Sequence, residues 1–509
     1  MIWNVQEGLT GILTLSTDSS TETFIPDYDQ DKARELLLEF QELKDEAGCP
    51  LKSNYHAEGF NWYPSMVSFL YWYLFFPAVK YAPLLRDWME GRRSFTFQNE
   101  GQFRTLINLF DGSSRRRSVK HRLHYLLMRW HNRLAARKPA ELLFFRFAHK
   151  DFRTEEIRKV LGELGVTSLN VVPAPRTSRI IASLFKRERD YFYSQPPTTA
   201  RGNRFRIRYP LPGTDEFKRR IFEVAISAVE CSITSFIVEY RHHLQALRRC
   251  TAKTFYGLDD INGYVFPVLY ASRTLGLRTV GHQHGAYVRR HAAYMMEGIE
   301  PADLQWFDRV IVWGEFWRAK MQRCSKAYPE DYFVVGSNKF SALPCATIAP
   351  ERTPRNVLIP YEFLANTARV GEFIGRLLDM GYQVSFKPRP DNDLGEQLDS
   401  YRLPPRHRER LKIVSKLDAE ALNEIDIVAG TMTTLVYELL PCDKIIWVLE
   451  TEFRHLYDLV EEGLAHLIGL DDLRPPGQMP SAMLTRTCVP SESLFGAESL
   501  DCALRKHVL

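Results

Sequence analysis

Two short stretches in the second half of the chain carry side chains suited to a phosphate: Lys387-Pro388-Arg389-Pro390, and Gly430-Thr431-Met432-Thr433-Thr434 with Glu438 four residues on. Cations fixed between prolines can neutralise a phosphate. A threonine run opening a helix offers hydroxyls and unpaired backbone N–H groups where the helix dipole favours an anion. Threonine there is also an ordinary N-cap, and both readings stand. Glu438 falls one turn beyond Thr434 on the same face, placed to accept bonds from ribose hydroxyls. Glu362 directly follows the apolar run NVLIPY, and Glu450-Thr451-Glu452 follow KIIWVL.

The first half offers a second set. GHQHGAY ends an apolar stretch, with His282 and His284 two apart and on one side if the strand persists. No carboxylate or cysteine set at ligand spacing completes a metal site around them, so no metal is expected. Substrate binding or catalysis fits better, because a strand-end glycine lets a ligand approach backbone. Asp259 and Asp260 end the preceding apolar run. One can cap the helix starting near Ile261; the other can act as general base or nucleophile. Glu239, in FIVEYRHH, is a third carboxylate, whose simpler reading is a helix-surface ion pair with Arg241 or its neighbours.

These residues need elements to hold them, and the patterning supplies an alternation of strands and helices. AELLFFRFAH reads as a strand, RTEEIRKVLGELG as a helix with a glycine stop, and SLNVVPAP as a strand. After a Pro, Gly and Arg-rich excursion over 194–214 comes a long helix from about Asp215 to Arg249. KTFYGLDD, LRTVGHQHG, FDRVIVWG and DYFVVGS follow as strands, with a helix over INGYVFPVLYASRTLG. The proline-rich stretch 341–355 reads as an interdomain linker. Beyond it NVLIPY, YQVSFKPRP, LKIVS, DIVAG and KIIWVLE are strands, separated by helices over TARVGEFIGRLLDMG, DAEALNEI and TTLVYELLPC. Near-continuous apolar strands are expected where helices cover both faces of a parallel sheet. The expected division is 1–345, 355–490 and a C-terminal tail over 491–509. In open α/β sheets ligands bind beyond the carboxyl ends of strands, which makes the residues just after each second-half strand the ones to weigh.

The N-terminal region is less specific. GILTLST is β-compatible, and DKARELLLEFQELKDEAG reads as a helix ended by its glycine. Met66 to Val79 is the longest apolar run, but it falls short of the roughly 20 residues that span a bilayer and reads as a buried helix. Arg115 to Lys138 holds nine Lys or Arg and no acid, interleaved with Leu123, Tyr125, Leu126, Leu127, Met128, Trp130 and Leu134. That is the composition of a basic amphipathic helix, either a solvated face over a buried stripe or a contact for anionic lipid or a phosphate-rich acceptor.

With 509 residues the chain is long enough for two cores, and a formal charge of +5 makes no demand for nucleic acid. Eight cysteines without a Cys-x-x-Cys pair fit a reducing compartment. The first 16 residues lack a basic stretch leading into an apolar one, so a cytoplasmic protein is expected.

The order of GHQHGAY, VIVWGEFWRAKM, VVGSNKF, KPRP and GTMTTLVYELL resembles the GT-B glycosyltransferases of bacterial surface polysaccharides, over roughly Lys253 to Glu450. Within that group the chain is similar to capsule and O-antigen transferases for Kdo and related 2-keto sugars, and more distantly to bacterial sialyltransferases and polyol-phosphate polymerases. The resemblance implies an α/β fold of two Rossmann-like domains facing across a cleft. In CMP-sugar members a Lys-x-His-Pro motif and a Ser-Ser or Ser-Thr pair contact the donor phosphate. Here Lys387, Arg389 and Pro390 stand at the first, with Arg in place of His, and Thr433 with Thr434 at the second. The resemblance further implies a metal-independent transfer, without cofactor, from a nucleotide-sugar donor to a lipid-linked or oligosaccharide acceptor. Asp260, then Asp259, then Glu239 are the implied catalytic carboxylates, and His284 would donate to the donor carboxylate or leaving phosphate. His282, Glu362, Lys387, Arg389, Gly430, Thr431, Thr433, Thr434 and Glu438 form the expected donor site. A nucleotide-sugar 2-epimerase, a polyol-phosphate transferase and a non-catalytic assembly subunit are the alternatives on the same fold.

Overall fold

The computed structural model describes residues 2–112, 119–148, 152–185, 189–194, 205, 207–211, 213, 215–258, 263–336, 353–362, 365–389 and 393–509. The expected linker lies mostly outside the described residues.

The first sheet in the chain is small. Strands β1 (Ile2–Glu7), β2 (Leu13–Ser16) and β3 (Thr21–Phe24) form an antiparallel meander, and a later strand adds parallel to β1. A two-stranded hairpin, β4 (His56–Ala57) and β5 (Phe60–Asn61), precedes that fourth strand, β6 (Ser94–Phe97). The helix after β3 runs Gln30–Gln41, capped by Asp29 at its start. It stops short of the expected glycine, because the chain turns back at once to pair Lys44 with Pro50, and Gly48 serves that turn with φ +83°. The apolar run from Met66 is a continuous helical segment with a π-helical stretch over Leu70–Phe75, and most of it is buried.

The second sheet has seven parallel strands: β7 (Leu142–Phe145), β8 (Ser168–Pro173), β9 (Asp190–Tyr193), β10 (Thr254–Leu258), β11 (Arg278–His282), β12 (Arg309–Val312) and β13 (Phe333–Val335). Their spatial order is β13-β12-β11-β10-β7-β8-β9, so the winding reverses between β7 and β10. β7 and β10 are buried at every position, which is why both read as apolar runs.

The third sheet repeats the plan with six strands, β14 (Asn356–Pro360), β15 (Gln383–Lys387), β16 (Lys412–Ile413), β17 (Ile427–Gly430), β18 (Ile445–Leu449) and β19 (His466–Ile468). Their order β16-β15-β14-β17-β18-β19 is the doubly wound arrangement with its switch between β14 and β17. LKIVS contributes only two paired residues, as an exposed edge strand. The expected α/β class, two Rossmann-like domains of the GT-B kind, is therefore the observed one.

The long helix Glu216–Leu247, N-capped by Asp215, packs along the helix Val265–Thr274. Among the described residues it is the one helix long and apolar enough to cross a bilayer, yet half of its apolar window is buried within the fold, as for a core helix.

Residues 491–509 return to the first parallel-sheet domain. Leu504 and Val508 join the core beneath β7, β10 and β11. The Val508 carbonyl accepts from Thr254 Oγ1 at 3.2 Å, and Trp317 Nε1 donates to the Leu494 carbonyl at 2.9 Å. The returning chain crosses so closely over Gly314 that a Cβ there would lie 2.2 Å from the Ser493 carbonyl oxygen.

Candidate functional site

In the third sheet, the strand ends on either side of the switch point meet through Glu362. Its carboxylate accepts from the backbone N–H groups of Thr431 and Met432, both at 3.0 Å, while its own N–H donates to Tyr401 Oη at 3.0 Å. Gly430 permits this approach: a Cβ there would lie 2.6 Å from Glu362 Oε1. Burial pushes the Glu362 carboxyl up to about 7, opposed by the N–H donors that favour its charged form.

This arrangement corrects one expectation. The N–H groups of Thr431 and Met432 were expected to be open to a phosphate, but a carboxylate of the chain itself already takes them. Thr433 is the N-cap of the short helix Thr434–Glu438, its hydroxyl accepting from Leu435 N at 3.3 Å. The capping reading therefore holds for Thr433. Thr433, Thr434 and Glu438 are all partly exposed along this helix.

Lys387 ends β15, in register with Pro360 of β14. Its side chain is half-buried, its Nζ donates to the Pro388 carbonyl at 3.0 Å, and burial alone lowers its pKa. Among the described residues no carboxylate pairs with it. Arg389 is exposed, and its backbone is clamped by the buried Gln397, whose amide accepts from Arg389 N at 2.8 Å and donates to Arg389 O at 2.9 Å. Neither Gln397 nor Tyr401 is legible as a site residue, because both belong to the short helix Leu394–Ser400 and its C-cap, with nothing in their spacing to tie them to a strand end.

The first parallel sheet distributes its candidates differently. The strand does not persist past His282, so the two histidines part company. His282 is buried inside the first domain with Nδ1 2.8 Å from Tyr256 Oη, and burial beside His507 lowers its pKa to about 4. His284 faces the other way round the loop, its Nε2 3.0 Å from Tyr294 Oη. From there a chain of rings leads to the other domain: Tyr294 N donates to His291 Nδ1 at 3.2 Å, and the rings of His291 and His455 are 6.0 Å apart. Gln283 between the histidines is wholly buried; its side-chain oxygen accepts from Trp313 N at 2.9 Å and its amide donates to Gly285 O at 2.9 Å, fixing the loop. Asp259 and Asp260 lie outside the described residues; β10, which they follow, ends at the switch point beside β7.

Glu239 overturns its simpler reading. Arg241 pairs with Glu58, and Glu239 is not on the surface. Its carboxyl is buried 3.4 Å from His243 Nε2 with the Tyr125 hydroxyl beside it, and burial raises its pKa to about 8. His243 Nδ1 in turn meets Tyr191 Oη at 2.8 Å, and His242 accepts from Arg129 Nε at 3.2 Å. This network lies between the long helix and the basic helix, as part of the first domain's packing. A carboxyl whose folded pKa is raised binds more protons folded than unfolded across the window from 4.5 to about 8, so stability is greatest below 4.5 and is lost as pH rises through 8. Glu239→Gln is expected to flatten that decline, by on the order of 2–4 kcal/mol between pH 5 and pH 9. Urea unfolding of both proteins at the two pH values checks it.

A further constellation joins the domains. Lys320, on the first-domain helix Glu315–Cys324, extends its ammonium to Asp458 at 2.5 Å, Glu462 at 3.6 Å and Tyr437 Oη at 3.1 Å. Tyr437 Oη donates to the second oxygen of Asp458 at 2.9 Å. Tyr437 belongs to the same short helix that starts at Thr434, so the helix that opens at the switch point is anchored to the other domain at its far end.

No family model matches the chain, and no curated protein matches it. Among solved structures it is similar to MurG of Acinetobacter baumannii at 14% identity, covering 66% of this chain and 87% of that one with a TM-score of 0.33. Arabidopsis thaliana UGT89C1 matches at 10% identity over 72% of this chain and 93% of its own, TM-score 0.40. The UDP-GlcNAc 2-epimerase of Neisseria meningitidis matches at 12% over 64% and 86%, TM-score 0.35. At such identities and TM-scores the likeness assigns no activity, and the fold class stands on strand order.

Proposed function

We propose that the chain is a glycosyltransferase that takes a sugar from a nucleotide donor bound at the switch point of the third sheet and passes it to a lipid-linked or oligosaccharide acceptor. One observation carries this reading: Lys387, a partly desolvated cation with no acidic partner among the described residues, stands at the carboxyl end of β15, next to the strand-end pair Glu362 and Thr431. A ligand phosphate would supply the missing counter-charge. Arg389 is the second cation, Thr433 and Thr434 offer hydroxyls, and Glu438 is on hand for ribose. These two cations would offset the charge of the leaving phosphate without a divalent ion. His282, enclosed between Tyr256 and His507, is left out of the donor site; His284, on the loop toward the second domain, is kept as a donor to the leaving group.

Asp260, with Asp259 as its alternate, is proposed to take the proton of the acceptor hydroxyl or to attack the anomeric carbon. CMP, the donor nucleotide that the resemblance implies for a 2-keto sugar such as Kdo, is the first nucleotide to try.

A thermal-shift series with CMP, CDP, UDP and GDP is the test. One nucleotide is expected to raise the melting temperature in proportion to the logarithm of its concentration. No shift from any of the four at millimolar concentration would overturn the reading. Consumption of the matching nucleotide-sugar with no acceptor present, giving an epimer, would assign the site to epimerisation instead.

A further inference from the structure

The basic helix Val119–Ala135 is half built into the fold. Tyr125, Met128, His131, Asn132 and Ala135 face inward, and Asn132 exchanges two hydrogen bonds with the backbone of Phe192, at 2.7 and 2.8 Å. The opposite face is unlike a solvated one. Leu123, Leu126 and Trp130 are 57, 60 and 53% exposed, and Leu134 continues the same line. Spacings of three, four and four put these four side chains in one stripe along the helix. Arg122 and Arg133 are exposed along it, and Arg137 is exposed just past its end. The neighbouring helix Thr177–Phe185 packs against the basic helix and adds exposed Ile181 and Arg179, with Arg176 just before it. Neither helix contains an aspartate or glutamate.

We propose that this two-helix face is a docking surface for an anionic lipid bilayer. Large apolar side chains in a continuous exposed stripe mark a contact surface rather than a solvent face. Their character fits the boundary between headgroups and acyl chains: leucine and isoleucine enter the apolar layer, tryptophan occupies the interface, and arginines reach up to phosphate while their stems stay among the chains. The charge decides between occupants. A second copy of the chain, joined through the same face, would bring arginines against arginines with no acid on either helix to separate them. An anionic leaflet answers every one of these charges at once. This face is independent of the donor reading.

Sedimentation of the full-length protein with vesicles tests the inference. Binding is expected to vesicles of phosphatidylcholine with about a third phosphatidylglycerol, and at least tenfold weaker to pure phosphatidylcholine, with attraction falling as salt rises. Leu126→Glu with Trp130→Glu should reduce binding to the mixed vesicles at least tenfold. Arg133→Glu with Arg137→Glu should reduce it and remove most of the salt dependence. All four positions are exposed, and an unchanged melting temperature establishes that the variants fold. Equal binding by the variants and the parent protein, or no binding to either vesicle, overturns the proposal. A dimer in solution that the Leu126→Glu, Trp130→Glu variant dissociates also overturns it, assigning the face to self-association.

Discussion

Replacing Asp458 by alanine is expected to cost about 3–5 kcal/mol of stability, the penalty for leaving a buried charge without its partner. Lys320 is only 1% exposed, and Asp458 is its nearest acid at 2.5 Å. Glu462, at 3.6 Å, also answers Arg323, so it offsets only part of the loss and places the effect near the lower bound. The same change removes the acceptor of the Tyr437 hydroxyl and so loosens the short helix that starts at the switch point. Asp458→Asn should fall between, because its amide oxygen still accepts from Tyr437 while the charge is gone. A paired Lys320→Met, Asp458→Leu variant should recover part of the loss, since the buried charge is gone with its partner while the Tyr437 hydroxyl still lacks its acceptor. Denaturant unfolding of the three variants checks the order; a loss under 1 kcal/mol for Asp458→Ala would show that the ammonium does not depend on this carboxylate.

Lys387→Ala should have the largest effect on ligand binding. A charge-assisted bond from a partly desolvated ammonium to phosphate contributes about 1.5–3 kcal/mol, so the nucleotide that stabilises the protein is expected to bind roughly 10- to 100-fold more weakly. Stability without ligand should change little, because Lys387 makes one bond, to the adjacent Pro388 carbonyl, and no ion pair among the described residues. Arginine at the same position should avoid part of that loss and methionine none of it. Arg389→Ala should cost less, since its side chain is exposed to water. Titration calorimetry of the four variants reads these differences; affinity unchanged in Lys387→Ala would remove Lys387 from the site.

Much of the second domain is legible because β14, β15, β17 and β18 are runs of four or five residues bounded by Gly, Pro or charged residues, and β14, β17 and β18 are its most buried strands. The edge strand β16 is shorter than its pattern suggests: LKIVS alternates as a strand should, but only Lys412 and Ile413 find a partner. The candidate site was legible as a set of strand ends and not as a set of contacts. Glu362 was readable as a strand-end carboxylate, but nothing in the sequence says that it turns onto Thr431 and Met432, because that pairing joins residues 69 and 70 positions apart. Glu239 misled for a related reason. Beside Arg241 on a helix it looks like half of a surface pair, yet the basic helix Val119–Ala135 lies over it, and a single-helix reading cannot see a neighbour more than 100 residues away. Lys320 lies within VIVWGEFWRAKM, but its meaning depends on two acids from the other domain.

Hydrogen exchange with and without the stabilising nucleotide is the most direct test of nucleotide binding at the switch point of the third sheet. Bound nucleotide should slow exchange in the segments around 387–389 and 430–438, with residues next to His284 following only when a full nucleotide-sugar is used. Protection confined to the first domain, or spread evenly over the chain with no excess at those two segments, would contradict it.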